Sequence, residues 1–205
     1  MVKTIVGSFD SFNEAHEVAN ELRAAGFLDS DISIVANNAD GSYENDARLG
    51  DKAATRAVRD DDTSATAKGA VAGAVVGGGA GLAASLAGLA IPGIGPIIAA
   101  GPIVATLAGA GTGAVAGGLI GGLVDLGVPE HDAEYYAEAV RRGGALVTIR
   151  ADESRAEEAA DIMRDRGAVD IQRRVERWRE QGWERFDAGA QPYSADEIRR
   201  DRTMY

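Results

Sequence analysis

Apolar positions recur with two different periods near the ends of this chain, and with neither in its centre. From Val2 to Phe9 the residues are rich in β-branched and aromatic side chains, which predicts a strand. Ser11, followed three residues later by Glu14, is a capping box that opens a helix. Phe12, Ala15, Ala19 and Leu22 share one face of that helix, and Gly26 suits the left-handed residue that ends it. "DISIVAN" then sets Ile32 and Ile34 against Asp31, Ser33 and Val35, which predicts a half-buried strand.

The same order returns at a constant offset. Ile5 falls on Leu146, Val6 on Val147, Ser11 on Asp152, Ala15 on Ala156, Ala19 on Ala160, Leu22 on Met163, Arg23 on Arg164 and Gly26 on Gly167. The second copy is predicted to run from the strand "GALVTIRA", through a helix capped by Asp152 and ended by Gly167, to a strand in "AVDIQRRVERW". Two βαβ units predict an α+β fold, a ferredoxin-like sandwich with both helices on one face of a four-stranded antiparallel sheet. The halves, residues 1–37 and 144–178, are split by a long insertion and followed by an aromatic tail, 179–205.

Three parts make up the insertion. Residues 38–68 form a polar, acidic linker with Asp60, Asp61 and Asp62 in a run and a short helix expected around Lys52 to Val58. Residues 69–124 carry no charge at all. Residues 125–143 predict a connecting helix, with Pro129 at its first position, Glu130 and Asp132 in the first turn, Arg141 and Arg142 in the last, and Gly143 as stop.

Within the uncharged segment, Gly69, Gly73, Gly77 and Gly81 recur every four residues, as do Gly101, Ala105, Gly109, Gly113, Gly117 and Gly121. That spacing puts small residues on one helix face, with the bulky aliphatics opposite. Pro92, Gly93, Gly95 and Pro96 supply a turn between the arms, so the segment predicts a glycine-zipper helical hairpin. Each arm of roughly 20 residues would be about 30 Å long, near the thickness of a bilayer's hydrocarbon core. Glycine costs up to ~1 kcal/mol against alanine in a helix, so close helix packing must offset it. Two settings do so: lipid, or the apolar core of an oligomer of this chain.

Composition narrows the function classes. A net charge of −11 argues against a nucleic-acid binder, and the lack of cysteine removes disulfides, thiolate metal sites and a cysteine nucleophile. "MVKTIVGSFDSF" has no apolar signal core, so the expected place is the cytoplasm, or the cytoplasmic side of a membrane.

"KTIVGSFDSFNEAHEVANELRAAGF" together with "GVPEHDAEYYAEAVRRGGALVTIRA" resembles the bacterial general stress proteins of the heat-induced, low-temperature-induced and 17M-like kind. The likeness extends to the tail "GWERFDAGAQPYSADEIR", and many such proteins carry a glycine-zipper hairpin between the flanks. It implies a stress-related, non-enzymatic role and transfers no catalytic residue.

Specific chemistry finds little support in the residues. "GAGTGA" from Gly109 follows a segment that reads as helical where a dinucleotide loop needs a strand, and no Lys-Ser/Thr follows for a P-loop. His16 reads as a helix surface residue, and His131 beside Glu130, Asp132 and Glu134 as a solvated first turn rather than a metal site. The expectation is no enzyme and no cofactor. Tyr135, Tyr136, Trp178, Trp183 and Phe186 are candidate anchors, onto lipid, a neighbouring copy or the chain itself, and Ser194 is expected to cap a last short helix. The leading expectation is thus a stress protein that self-assembles through its hairpin in contact with membrane or lipid. A soluble homo-oligomeric scaffold and a small-molecule-binding regulatory module are the alternatives.

Overall fold

The structure, a computed structural model, describes residues 1–41, 43, 85–109 and 118–202, the side chains of 85–89, 105, 108 and 109 apart. The linker helix around Lys52 to Val58, the Asp60–Asp62 run and Gly69, Gly73, Gly77, Gly81, Gly113 and Gly117 lie outside the described residues.

The fold is mixed α/β around one five-stranded antiparallel sheet. Strands β1 (Val2–Phe9), β2 (Ile32–Asn37), β3 (Ser85–Ile91), β4 (Gly95–Ala100) and β5 (Ala145–Asp152) lie in the order β1-β5-β2-β4-β3. Helix α1 (Phe12–Ala24) joins β1 to β2, and β5 inserts between them, antiparallel to both. Helix α1 opens as its cap predicts: Glu14 N donates to Ser11 Oγ at 3.3 Å and Asp10 N to Glu14 Oε2 at 3.1 Å. Gly26 closes it at φ +87°.

Alternation along the strands builds two cores. Ile32, Ile34, Ala36, Ile98, Ala100, Val147 and Ile149 face α1 and α5 (Ala156–Asp165). Val35, Ile97, Ala99 and Leu146 face α2 (Ile103–Gly109), α3 (Gly118–Asp125) and α4 (Glu130–Arg141). The sheet is therefore covered on both faces, where the sequence predicted helices on one. For the same reason β2 is buried along its whole length instead of half-buried. Its polar residues are paired: Ser33 Oγ accepts from Ile103 N at 3.1 Å, and Asn37 Nδ2 donates to the Val140 carbonyl at 3.0 Å.

Three further expectations are corrected. The second copy follows the first only as far as Gly167, which stands at φ +80° as Gly26 does. The predicted strand in "AVDIQRRVERW" is instead helix α6 (Ile171–Glu180), capped by Asp170, whose Oδ1 accepts from Arg173 N at 3.1 Å. Ile171, Val175 and Trp178 are spaced four and three apart, a helical period, and Val175 and Trp178 are buried against Ala139. One backbone bond to the first strand remains there, Val169 N to Ser8 O at 2.8 Å. Asp152 ends β5 rather than capping a helix, and α5 starts after Arg155.

The hairpin is the third correction. From Ser85 to Ala100 the chain forms two strands, not helical arms, paired from Ile91↔Gly95 to Ser85↔Ala100 with a bulge between Ala87 and Leu89. Pro92 and Gly93 do form a turn, with Ile94 N donating to Ile91 O at 3.1 Å, but it joins strands. Strand β4 finds a free edge on β2, from Ile34↔Ala100 to Asn37↔Ile97, and β-branched Ile97 and Ile98 suit a pleated surface buried on both sides. The second arm is helical in α2 and α3. Among the described residues no helix is long and apolar enough to cross a membrane.

Gly101, placed by the sequence on a zipper face, instead makes the corner between β4 and α2 at φ +88°, where an added Cβ would stand 2.2 Å from Ile32 O. Gly26 has a similar φ with nothing within 4 Å. Gly26→Ala should therefore cost about 1–2 kcal/mol, the backbone term alone. Gly101→Ala should cost more than about 3 kcal/mol, because a backbone clash is added to the strain. Urea midpoints of the two variants against the parent measure the difference.

Candidate functional site

The distinctive construction in this molecule is where its C-terminal segment crosses the β3–β4 turn and docks on α4. Gly93 and Gly95 stand at φ +76° and +96°, and neither has room for a side chain. A Cβ on Gly93 would lie 2.7 Å from Asp187 O and 2.8 Å from Ala188 Cα, and one on Gly95 would lie 2.9 Å from Pro192 Cβ. The glycines serve both a tight turn and a chain passing directly over it. Phe186 packs into the core cluster of Ile91, Ile94 and Leu119, and Asp187 Oδ1 accepts from Gly189 N at 2.8 Å, which fixes the bend between them.

Beyond this strap, Ser194 caps α7 (Ala195–Arg202) as expected, in a reciprocal box: Glu197 N donates to Ser194 Oγ at 3.3 Å and Ser194 N to Glu197 Oε2 at 2.8 Å. The Ser194 hydroxyl, which donates to Glu197 Oε2 at 2.6 Å, and after it the Ser194 N–H hold the exposed Glu197 carboxyl below its ordinary pKa. One side of α7 buries Ile198 and Asp201.

Asp201 meets a buried ionic cluster on α4. Glu138 is fully buried, and a carboxylate there must be paired or stay neutral. Arg142 Nε donates to its Oε1 at 2.6 Å and Arg141 Nη1 to its Oε2 at 3.4 Å, the i+4 and i+3 positions of one helix. Arg142 Nη1 reaches across to Asp201 Oδ1 at 3.3 Å, and Arg141 Nη2 donates to the Gln191 carbonyl at 3.1 Å. The guanidinium of Arg142 lies 5.0 Å from the Trp178 ring and 5.4 Å from Tyr193, with Arg141 4.9 Å from Tyr193. Burial works to lower the Arg142 pKa, but the carboxylates, Glu138 foremost, raise it above its ordinary value. Burial raises the Tyr193 phenol too, against the two arginines. A cavity of about 10 Å³ remains beside Arg142, Arg174 and Asp201, about one water's room. Arg174 is itself paired with Asp10 at 2.5 Å.

The structure brings three of the five candidate anchors together. Tyr135 and Trp183 meet edge to face at 6.0 Å, Trp183 and Trp178 at 5.8 Å, and Arg179 donates to the Tyr135 hydroxyl at 2.9 Å. Tyr136 turns the other way, its hydroxyl donating to Val6 O at 3.4 Å, and Phe186 lies under the strap. Gly109 ends α2. Gly121 faces open space, whereas at its neighbour Gly122 a Cβ would stand 2.9 Å from Thr106 Oγ1, so the close approach of α3 to α2 uses Gly122. His131 is exposed beside Asp132 at 3.3 Å, and among the described residues no group of acids and histidines has metal-site geometry.

Sequence reasoning missed Glu138, Asp201 and the crossing at Gly93. A signal existed at Glu138, which sits between Ala137 and Ala139 on the apolar side of its helix and is followed by two arginines at bonding spacing. Comparison of the chain with protein-family models, with curated proteins and with solved structures gives no match in any of the three.

Two outcomes follow. Arg142→Ala leaves the buried Glu138 without its strongest partner and should lower unfolding free energy by about 3–5 kcal/mol in urea titration. Asp201→Ala should cost about 1–2 kcal/mol, a single charged hydrogen bond at the margin. Burial, and after it the Asp132 carboxylate, push the Tyr136 phenol up to about 12. A raised tyrosine pKa favours the neutral form in the fold, so this contribution is complete below pH ~10 and is lost as the pH climbs from there toward 12. Alkaline titration followed at 295 nm should show a phenol step near pH 12, and Tyr136→Phe should remove that step while the raised Tyr193 phenol remains.

Proposed function

We propose that this chain is a non-enzymatic, stress-related protein that assembles with further copies of itself through its uncharged insertion, the contact being the outer edge of β3. In this reading the head is a ferredoxin-like unit whose fourth strand has been replaced by α6, and the glycine-rich segment is the assembly element. The carrying observation is the position of β3. It is the last strand of the sheet, and among the described residues no strand pairs with its outer side. Its sequence, "SLAGLAI", has no charge and no proline.

Edge strands of monomeric proteins are usually blunted by lysine, proline or an inward charge, because a row of free N–H and C=O groups invites pairing with another chain. The bulge between Ala87 and Leu89 is one such device, yet the strand continues past it to Ile91, and Ala90 is exposed. The stress-related part of the reading rests on the resemblance of both flanks. The non-enzymatic part is supported by the buried ionic cluster, whose charges are taken up by one another.

Sedimentation velocity without detergent tests the assembly. The parent should run as a defined oligomer, and Ala90→Lys, which places a charge on the edge without touching the core, should weaken association by about tenfold or more. A parent that stays monomeric defeats the proposal. Co-flotation of the parent with lipid vesicles, lost in Ala90→Lys, would make lipid the setting of the same edge.

A further inference from the structure

We propose that residues 183–202 act as a latch: docked, they pin the β3–β4 hairpin to the body of the protein, and undocked, they free it. The regulatory consequence, that undocking promotes assembly, rests on the reading of β3 as the assembly edge.

The segment is held at three places. Its root is Trp183, which meets Trp178 and Tyr135 edge to face. Its middle lies over the hairpin turn, where Asp187, Ala188 and Pro192 occupy the space above Gly93 and Gly95. Its far end is the docked α7, with Ile198 buried, Asp201 on Arg142 and Tyr193 against both arginines. Arg141 ties middle to end through the Gln191 carbonyl. The turn cannot lift from the body while the backbone of 187–188 stands within van der Waals distance above it.

The chemistry of the three places differs in a way that suits partial release. Root and body share apolar and aromatic contact, which is non-directional and tolerant of movement. The far end adds to the burial of Ile198 a hydrogen-bonded ion pair and cation–π contacts, which depend on fixed geometry. Removing Asp201 leaves Arg142 on Glu138, so the α4 cluster survives when α7 leaves. Glycines stand before the root and within the middle: Gly182, at φ +91° with nothing within 4 Å of a Cβ, and Gly189, between Ala188 and Pro192. The latch thus opens from its ionic end without dismantling the core.

Asp201→Lys and, independently, Ile198→Asp open the latch in the full chain, and hydrogen exchange reads the result residue by residue. Both variants should lose protection across 195–202 and also accelerate exchange at the turn and β4, residues 93–98, by about tenfold or more, while β5 and α1 stay protected. Sedimentation should then show tighter association than the parent, abolished when Ala90→Lys is added. Loss of protection in 195–202 with an unchanged turn overturns the latch, whatever the mass does. A loosened turn with unchanged mass in the presence and absence of Ala90→Lys upholds the latch and removes the assembly reading instead.

Discussion

A strand buried on both faces needs two layers of cover, and β2 is such a strand. Its odd positions, Ser33, Val35 and Asn37, would be exposed on a sheet with helices on one side only. Here they meet α2 and α4, and the polar two are satisfied by Ile103 N and the Val140 carbonyl. That requirement recruits the uncharged insertion into the fold. Strand β4 continues the sheet beyond β2, and α2 and α3 return across the second face to complete a core with α4. The insertion is therefore a structural layer of the protein rather than an appendage to it.

The charges obey a related constraint. Glu138 lies where the α4 cover meets α6 and the tail, and a carboxylate in that position is tolerable only with arginines on it. Because Arg142 reaches Glu138 and Asp201 together, the same guanidinium that neutralises the core also docks the last helix. One side chain couples core electrostatics to the position of the tail, and the tail in turn crosses the hairpin turn at two glycines that could carry no other residue without displacing it.

Local signals read correctly where chemistry acts over a few residues. The Ser11 box, the Ser194 cap and the glycines ending α1, α4 and α5 stand where the sequence puts them, while Pro129 is the residue before α4 rather than its first helical position. The errors share a cause. In α6 the likeness to the first copy points to a strand, whereas the local period of Ile171, Val175 and Trp178 is helical. In β3 and β4, alanine and glycine fit a helix face and a strand equally, and the four-residue repeats, which stop at Gly81 and resume at Gly101, do not extend into them. The four-residue spacing points to Gly121, yet Gly122 is the residue that meets α2, because spacing fixes a face only once the facing helix is known.

Determined by the sequence alone were the mixed α/β class, the order β1–α1–β2, the strand and helix of the second copy, the α4 helix and the capped last helix, all set by hydrogen bonds and side-chain periods within a few residues. Tertiary structure decided the rest: that the uncharged segment pairs as strands at Ser85–Ala100, that the sheet is covered twice, and that Arg142 serves both Glu138 and Asp201. Those outcomes depend on groups far apart in the chain, Asp201 lying 59 residues beyond Arg142 and Arg174 lying 164 beyond Asp10. A strand edge, a buried charge and a crossing chain each take their partner from whatever the fold brings near, and no local pattern encodes that choice.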